Sequence, residues 1–440
     1  MAETSVPNPN AKLRLIERLA QIRPEELAPL MWCWLYIFSL LCAYYVLRPI
    51  RDTMGIAGGV GGLKWLFLGT LIGMLLVNLP FAALTRRLPR ARFVAITYRF
   101  SIVNLLIFMA LLWVATPAET IWVGRIFFIW VSVFNLFVVS VFWAVVVDVF
   151  NDEQGKRLFG LIAAAASVGA LAGSAMVASL AKVVPTSLLL LIACVLLEVA
   201  VFSVKRLSHN QAALLHRRAA DETQPIGGSI VAGIVSTARS PYLLNICFYM
   251  LLFSTTATTL YFQQAAMVHG AFATNASRTT FFATVDLIVD ALTLVIQLTA
   301  TARFLRTFGV AICLAMLPVL NILGFGILSL WPQLTLLVVF TSFRRAGNFA
   351  IARPTREILF TTIPREDKYK AKTFIDTVIY RLGDQIGAWS YAGITALGVA
   401  GSGVATVSMV LSGLWLANSL WLGFRQQRMV RERDAAAPAV

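Results

Sequence analysis

Polar residues are confined to short intervals along this chain, and between them apolar residues run on for about twenty positions at a time. A helix of that length, rising about 1.5 Å per residue, crosses a hydrocarbon core of roughly 30 Å. The pattern predicts spans at 30–47, 63–84, 94–115, 120–148, 158–181, 186–204, 241–267, 278–301, 308–330, 333–360, 373–398 and 402–424. The runs are continuous rather than alternating, which excludes a transmembrane β-barrel. The fold class is therefore an all-α polytopic membrane protein of about twelve transmembrane helices. The longest polar interval, 205–240, divides them six and six. The organisation that follows is a cytoplasmic segment 1–29, a six-helix half 30–204, a central loop 205–240, a second half 241–424 and a tail 425–440.

Internal spacing supports two related halves. Lys156 followed by Gly169 and Gly173 is matched by Lys370 followed by Gly383 and Gly387, each 214 positions on. Small residues four apart let helix backbones approach closely, so packing alone accounts for either pair; the shared spacing to a lysine adds the argument for duplication.

Composition agrees with the pattern. Of 440 residues 59% are hydrophobic and 13% charged, against about 25% charged in soluble domains. The net charge of +16 comes from 37 basic and 21 acidic residues. Twenty-five of the basic residues lie in alternate loops and tails, among them Arg86, Arg87, Lys205, Arg206, Lys368 and Arg431, while 116–119, 331–333 and 400–403 carry none. The positive-inside rule then places both termini in the cytoplasm, and topology rather than nucleic-acid binding explains the charge. No cleavable signal peptide precedes the first span; Leu13, Ile16 and Leu19 instead form one face of a short amphipathic helix suited to the inner leaflet. The five cysteines fall within or beside apolar spans without pairing, and the three histidines lack ligand spacing. Gly58–Lys64 lacks the Gly-Lys-Ser/Thr ending of a phosphate loop and follows no strand. Neither an enzyme nor a cofactor-binding protein is expected.

Charges inside the spans carry the functional signal, because each is costly there. Leu47-Arg48-Pro49-Ile50-Arg51-Asp52-Thr53 closes the first span. Nine arginines within or at the ends of spans stand against eight carboxylates, so the sum does not decide the sign of a substrate. Distribution says more. Helical spacing puts Arg345, Asn348 and Arg356 near one face of the tenth span with Arg353 at its flank, and Pro354 predicts a kink beside them. Guanidiniums around a broken helix suit phosphate or carboxylate, to which they donate paired hydrogen bonds. In the eighth span Asp286, Asp290, Thr293 and Gln297 form one polar stripe, able to carry a proton or to pair with neighbouring helices. Asp376, Tyr380 and Asp384 share a side of the eleventh span. The seventh is hydroxyl-rich from Ser254 to Thr259, lining a cavity or bonding its own backbone.

Three segments carry a resemblance. They are Leu47-Arg48-Pro49-Ile50-Arg51-Asp52-Thr53; Phe142-Trp143 with Asp148-Val149-Phe150 and Glu153-Gln154-Gly155-Lys156-Arg157-Leu158-Phe159; and Pro354-Thr355-Arg356-Glu357 with Lys368-Tyr369-Lys370-Ala371-Lys372, Ile375-Asp376 and Arg381-Leu382-Gly383. In this order they resemble motifs of the ATP/ADP antiporter family of nucleotide transporters, known from intracellular bacteria and plastids, and more closely its relatives in free-living bacteria. The resemblance implies a major-facilitator-like fold of twelve helices around a site that alternates between the two faces of the membrane. It places Arg51 where the family has a lysine, Asp148 at the acidic position after Phe-Trp, and Lys370 or Lys372 in the lysine-rich turn. Arg51 and Arg356 both replace lysines of the family pattern, and Pro49 is an addition.

The expected function is secondary transport of an organic anion across a bacterial inner membrane, by ATP/ADP-type exchange if the resemblance extends to substrate. Substrate contacts are expected from Arg48, Arg51, Asp52, Asp148, Lys156, Arg345, Asn348, Arg353, Arg356, Lys370 and Lys372, and coupling or gating from Asp286, Asp290, Asp376, Arg381 and Asp384. The expected partners are a small anionic substrate such as ATP, ADP or another phosphorylated metabolite, protons and the lipid bilayer; the chain is expected to act as a monomer. The alternative is a proton-coupled exporter of a drug-like molecule or metabolite on the same fold. A lipid-handling or non-transporting scaffold is a third reading, disfavoured by so many costly intramembrane charges.

Overall fold

A computed structural model describes residues 23–87, 90–150, 152–215, 237–238, 240–363, 371–372, 374–399 and 401–436. The amphipathic segment around Leu13–Leu19 and most of the central loop lie outside them. Among the described residues the regular structure is helical throughout, with no strand. In chain order the helices are α1 (Pro24–Ala57), α2 (Leu63–Arg87), α3 (Arg90–Val114), α4 (Pro117–Val149), α5 (Asp152–Leu180), α6 (Thr186–Leu215), α7 (Pro241–Ala271), α8 (Asn275–Thr299) and α9 (Thr301–Leu330). Then come α10, α11 and α12. α10 runs as Leu334–Gly347, a π turn Asn348–Ala352 and Arg353–Leu359; α11 as a π turn Ile375–Ile379 and Tyr380–Ala396; α12 is Gly401–Ala436.

Helix starts follow local chemistry. Thr116 caps α4 by accepting from the Glu119 N–H while Glu119 accepts from the Thr116 N–H, a reciprocal box ahead of Pro117. Ser240 and Thr274 cap α7 and α8 through their hydroxyls. Among the described residues, ten helices are long and apolar enough to cross a membrane as continuous spans. The two expected spans not among them correspond to α10 and α11, the helices interrupted by π turns beside charged residues.

The α9 run holds a break: Gly309 sits at φ 71°, outside helical geometry, near the start of the apolar span expected at 308–330 and inside the candidate span Arg303–Leu330. Such a φ is readily adopted by glycine and strained for β-carbon-bearing residues.

The described residues form two compact units whose division does not follow sequence order. The first holds α1 through Arg51 and the chain from Gly73 to the central loop. The second holds Asp52–Ile72 and everything after that loop. In the second unit Tyr261 donates to Asp52 Oδ1 at 3.0 Å, and the Thr53 and Thr279 hydroxyls meet at 2.9 Å. Phe67 packs its ring on Tyr261 and Phe262, and Trp65 packs on Trp389.

Each unit contains the same helix crossing. In the first, a β-carbon at Gly169 or Gly173 would lie 2.5 Å from the carbonyl oxygens of Phe38 and Cys42 respectively. In the second, a β-carbon at Gly383 or Gly387 would lie 2.9 Å from Leu251 O and 2.7 Å from Thr255 O. The glycines are related by 214 positions and their partners, Phe38 to Leu251 and Cys42 to Thr255, by 213. α5 thus lies on α1 as α11 lies on α7, with backbones too close for any larger residue.

Candidate functional site

The second unit gathers charge around the break in α10. Leu334–Gly347 ends in Arg344 and Arg345, and the π turn Asn348–Ala352 follows at once. A π turn inserts one residue into the helical register and turns everything after it by about 100°. That insertion corrects the sequence expectation. Uninterrupted spacing aligns Arg345 with Arg356, whereas the structure aligns Arg344 with Arg356. Their guanidinium carbons stand 5.4 and 5.7 Å from the centre of the Phe253 ring. Arg345 turns instead toward α8, its Nη1 2.7 Å from Asp286 Oδ1.

Pro354 contributes to the break in a second way. It has no N–H for the carbonyl of Ala350, four residues earlier. The structure supplies a substitute: the Thr301 hydroxyl donates to Ala350 O at 2.9 Å from the start of α9. The opened turn is thereby held by a neighbouring helix.

Arg344 is a residue that sequence reasoning leaves out of the site. It is 4% exposed and its guanidinium is held by neutral acceptors. Nε donates to Asn321 Oδ1 at 2.8 Å and Nη2 to Phe253 O at 3.2 Å, while Asn321 donates to Thr256 at 3.1 Å. A buried cation held by amide and carbonyl oxygens keeps its positive charge uncancelled, which makes its surroundings attractive to an anion. The signal in the sequence is adjacency to Arg345; only the inserted residue of the π turn identifies which of the two shares a face with Arg356.

Beside it, several buried polar atoms have no hydrogen-bond partner: Arg345 Nη2, Asn348 Oδ1, Thr341 Oγ1 and, on α8, Thr293 Oγ1. Thr341, Arg345 and Asn348 recur at helical spacing on α10, as Asp286, Asp290 and Thr293 do on α8, and α8 packs on α10. Gln297, the last member of the predicted stripe, is exposed.

The α7–α11 crossing carries a second polar cluster. Asp384 Oδ1 accepts from Ser254 at 2.5 Å and from Thr258 at 3.0 Å, and its Oδ2 pairs with Arg381 at 2.9 Å. Thr255 donates to Gly383 O. Of the hydroxyl run, Ser254, Thr255 and Thr258 reach across to α11, whereas Thr256 and Thr259 bond their own helix. Bonding to the helix's own backbone is realised at Thr256 and Thr259, while the other three hydroxyls serve the α7–α11 contact. Asp384 therefore clasps α11 to α7, with Arg381 pairing it from its own helix.

Some of the remaining expected residues gather beside Arg356: Asp376, on the π turn of α11, lies within electrostatic reach of Arg356, Lys372, Glu357 and Arg353, and Lys372 pairs with the exposed Glu357. In the first unit Arg48 lies 5.6 Å from the Tyr45 ring centre and Arg51 5.1 Å from that of Phe128. Asp148 and Lys156 fall within α4 and α5, but their side chains, like the whole of Lys370, lie outside the described residues. The motif around Lys156 has a visible structural partner: Arg157 and Gln154 donate to the buried Glu26 at 2.8 and 3.1 Å, fastening α5 to the start of α1.

Solved structures share the fold. A mutant of the nucleoside transporter NupG aligns with a TM-score of 0.62 at 15% identity, over 91% of this chain and 99% of that one. A POT family transporter in complex with thioalcohol-conjugated peptide gives 0.61 at 12% identity, over 89% and 96%. A POT family transporter in complex with 5-aminolevulinic acid gives 0.60 at 12%, over 91% and 96%. At such identities the likeness is one of fold, the all-helical major-facilitator type. No family profile matches the sequence, and no curated protein matches it.

Proposed function

We propose that this multi-pass membrane protein is a secondary transporter of an organic anion, working by alternating access in a bacterial inner membrane with both termini in the cytoplasm. The observation that carries the reading is Arg345, divided between Asp286 on one nitrogen and a buried, unfilled Nη2 on the other, at the mouth of a π turn. A phosphate or carboxylate oxygen arriving there completes the guanidinium and competes with Asp286 for it. Asp286, released from that pair as substrate arrives, is the group proposed to tie binding to coupling. Arg344 adds fixed positive charge, and Arg356, stacked on Phe253, adds a second fork. Arg48 and Arg51 are proposed to meet the substrate during the cycle. Asp148, Lys156 and Lys370 are proposed as contacts from the motifs they occupy, and Asp290 as a partner of Asp286 in coupling.

A nucleotide is the substrate class favoured by the three ordered segments from Arg48 to Gly383. Such a ligand carries several negative charges, and the membrane potential weighs about 2.3 kcal/mol per charge per 100 mV, so its movement requires exchange for a similar anion or accompanying protons. The alternative, proton-coupled export of a metabolite, draws support from the same Asp286–Arg345 pair and from a fold shared with transporters of small organic molecules.

Uptake of labelled ATP or ADP into proteoliposomes, with and without nucleotide inside, separates the two. Flux that depends on internal nucleotide and is lost in Arg345→Gln supports nucleotide exchange. Absence of flux in both modes sinks that version. An Asp286→Asn protein that keeps homoexchange of its substrate while losing response to a pH gradient assigns Asp286 to coupling; loss of both activities assigns it to binding.

A further inference from the structure

One charged pair belongs to neither cluster. Arg99 on α3 and Glu198 on α6 lie within the first unit, where those two helices pack along each other. Glu198 takes both nitrogens of one edge of the guanidinium, with Nη2 to Oε1 at 2.6 Å and Nε to Oε2 at 3.4 Å. Their side chains are 51% and 49% exposed. The surface around them is apolar: Ile96, Phe100 and Val103 on α3 and Val195 and Phe202 on α6 are all exposed. It is a face turned to the hydrocarbon.

Depth makes the pair costly. Arg92 on α3 and Lys205 on α6, both exposed, mark the cytoplasmic basic level, each seven residues from its member of the pair. Seven residues of helix amount to about 10 Å. Charges at that depth against lipid are unfavourable. Arg99 does not snorkel out, because its guanidinium is held sideways by Glu198.

The hydrogen-bond geometry indicates what covers it. The Nε–Nη2 edge is used inside the molecule, and the terminal Nη1–Nη2 edge of this half-exposed guanidinium has the fork geometry to take a second carboxylate. A two-fold axis through this face would bring Glu198 of a second copy onto that edge, and Arg99 of the second copy onto Glu198 of the first. One Arg–Glu pair per copy is self-complementary in the way an isologous interface requires. Within one copy Glu198 is met by Arg99 and, at longer range, by Lys205, while lipid chains offer no acceptor to the remaining N–H groups of Arg99.

We propose that the α3–α6 face is the dimer interface of this protein, closed by a four-membered Arg99–Glu198–Arg99–Glu198 ring inside the membrane. The inference stands apart from the transport reading. Its test is charge complementation between copies, read by single-molecule photobleaching of the labelled full chain in vesicles of phosphatidylethanolamine and phosphatidylglycerol. Wild type shows two-step bleaching. Arg99→Glu and Glu198→Arg each show mostly single steps, and mixing the two restores two-step events carrying one label of each kind. A bismaleimide linking Phe100→Cys to itself in an otherwise wild-type chain reports the same pairing without disturbing the charges. Single-step bleaching of wild type at every protein-to-lipid ratio overturns the proposal. So does failure of the two folded variants to pair on mixing, or cross-linking of Phe100→Cys only to other proteins.

Discussion

At the scale of single residues, the break in α10 shows how a membrane interior tolerates an opened helix. Pro354 withholds a donor from Ala350 O, and a buried carbonyl without a donor is expensive where no water can replace it. Thr301 supplies the bond from another helix at 2.9 Å. Thr301→Val keeps the shape and removes the donor, so the expected loss is about 1–3 kcal/mol. Thermal unfolding in detergent measures it, with Thr301→Ser expected to stay near wild type. Phe253 has a comparable part in the site, presenting its ring to both Arg344 and Arg356 and its carbonyl to Arg344. None of this is visible in the neighbours of these residues along the chain, because each partner is contributed by a different helix.

At the scale of elements, the π turn Asn348–Ala352 decides which arginines act together. An α-helical reading of the same sequence pairs Arg345 with Arg356; one extra residue in the turn pairs Arg344 with Arg356 and frees Arg345 to face Asp286. Deleting Phe349 restores α spacing and rotates Arg353 and Arg356 by about 100° relative to Arg345. The expected outcome is substrate flux at background with helicity and elution close to wild type. Flux retained in the deletion variant would show that the register of the second half of α10 is immaterial to transport. The glycine crossings are elements of another kind: Gly173 on Cys42 and Gly387 on Thr255 bring helices to backbone contact in each unit. Their spacing was legible in the sequence. The identity of the partner helices, α1 and α7, was not, since small residues announce a close approach without saying to what.

At the scale of the whole molecule, charge distribution and fold make a joint prediction about orientation. All five cysteines are buried, so an impermeant maleimide reports on introduced sites against a quiet background. Ala118→Cys, exposed in the first turn of α4 where no basic residue stands, is expected to label in intact cells, and Arg431→Cys in the exposed end of α12 only after permeabilisation. The reverse pattern would invert the topology and move the basic belt of Arg92 and Lys205 to the outer surface.

Hydropathy alone determined that the chain spans the membrane many times and roughly where each span lies. The reason is that a bilayer punishes any long polar run and rewards any long apolar one, so span positions are written locally. Candidate charges were also legible, because each is anomalous in its own segment. What those charges do depended on the tertiary structure. Asp384, expected to couple or gate, is joined to Ser254 and Thr258 across a helix crossing and to Arg381 on its own helix. Arg157, in a motif of the resemblance, holds the buried Glu26. Asp52–Ile72, first-half residues by sequence, pack within the second unit. Pairing energies in low dielectric are set by a few ångströms between atoms far apart in the chain, and a one-residue π insertion is enough to reassign them. Sequence therefore located the expensive groups; the fold chose their partners.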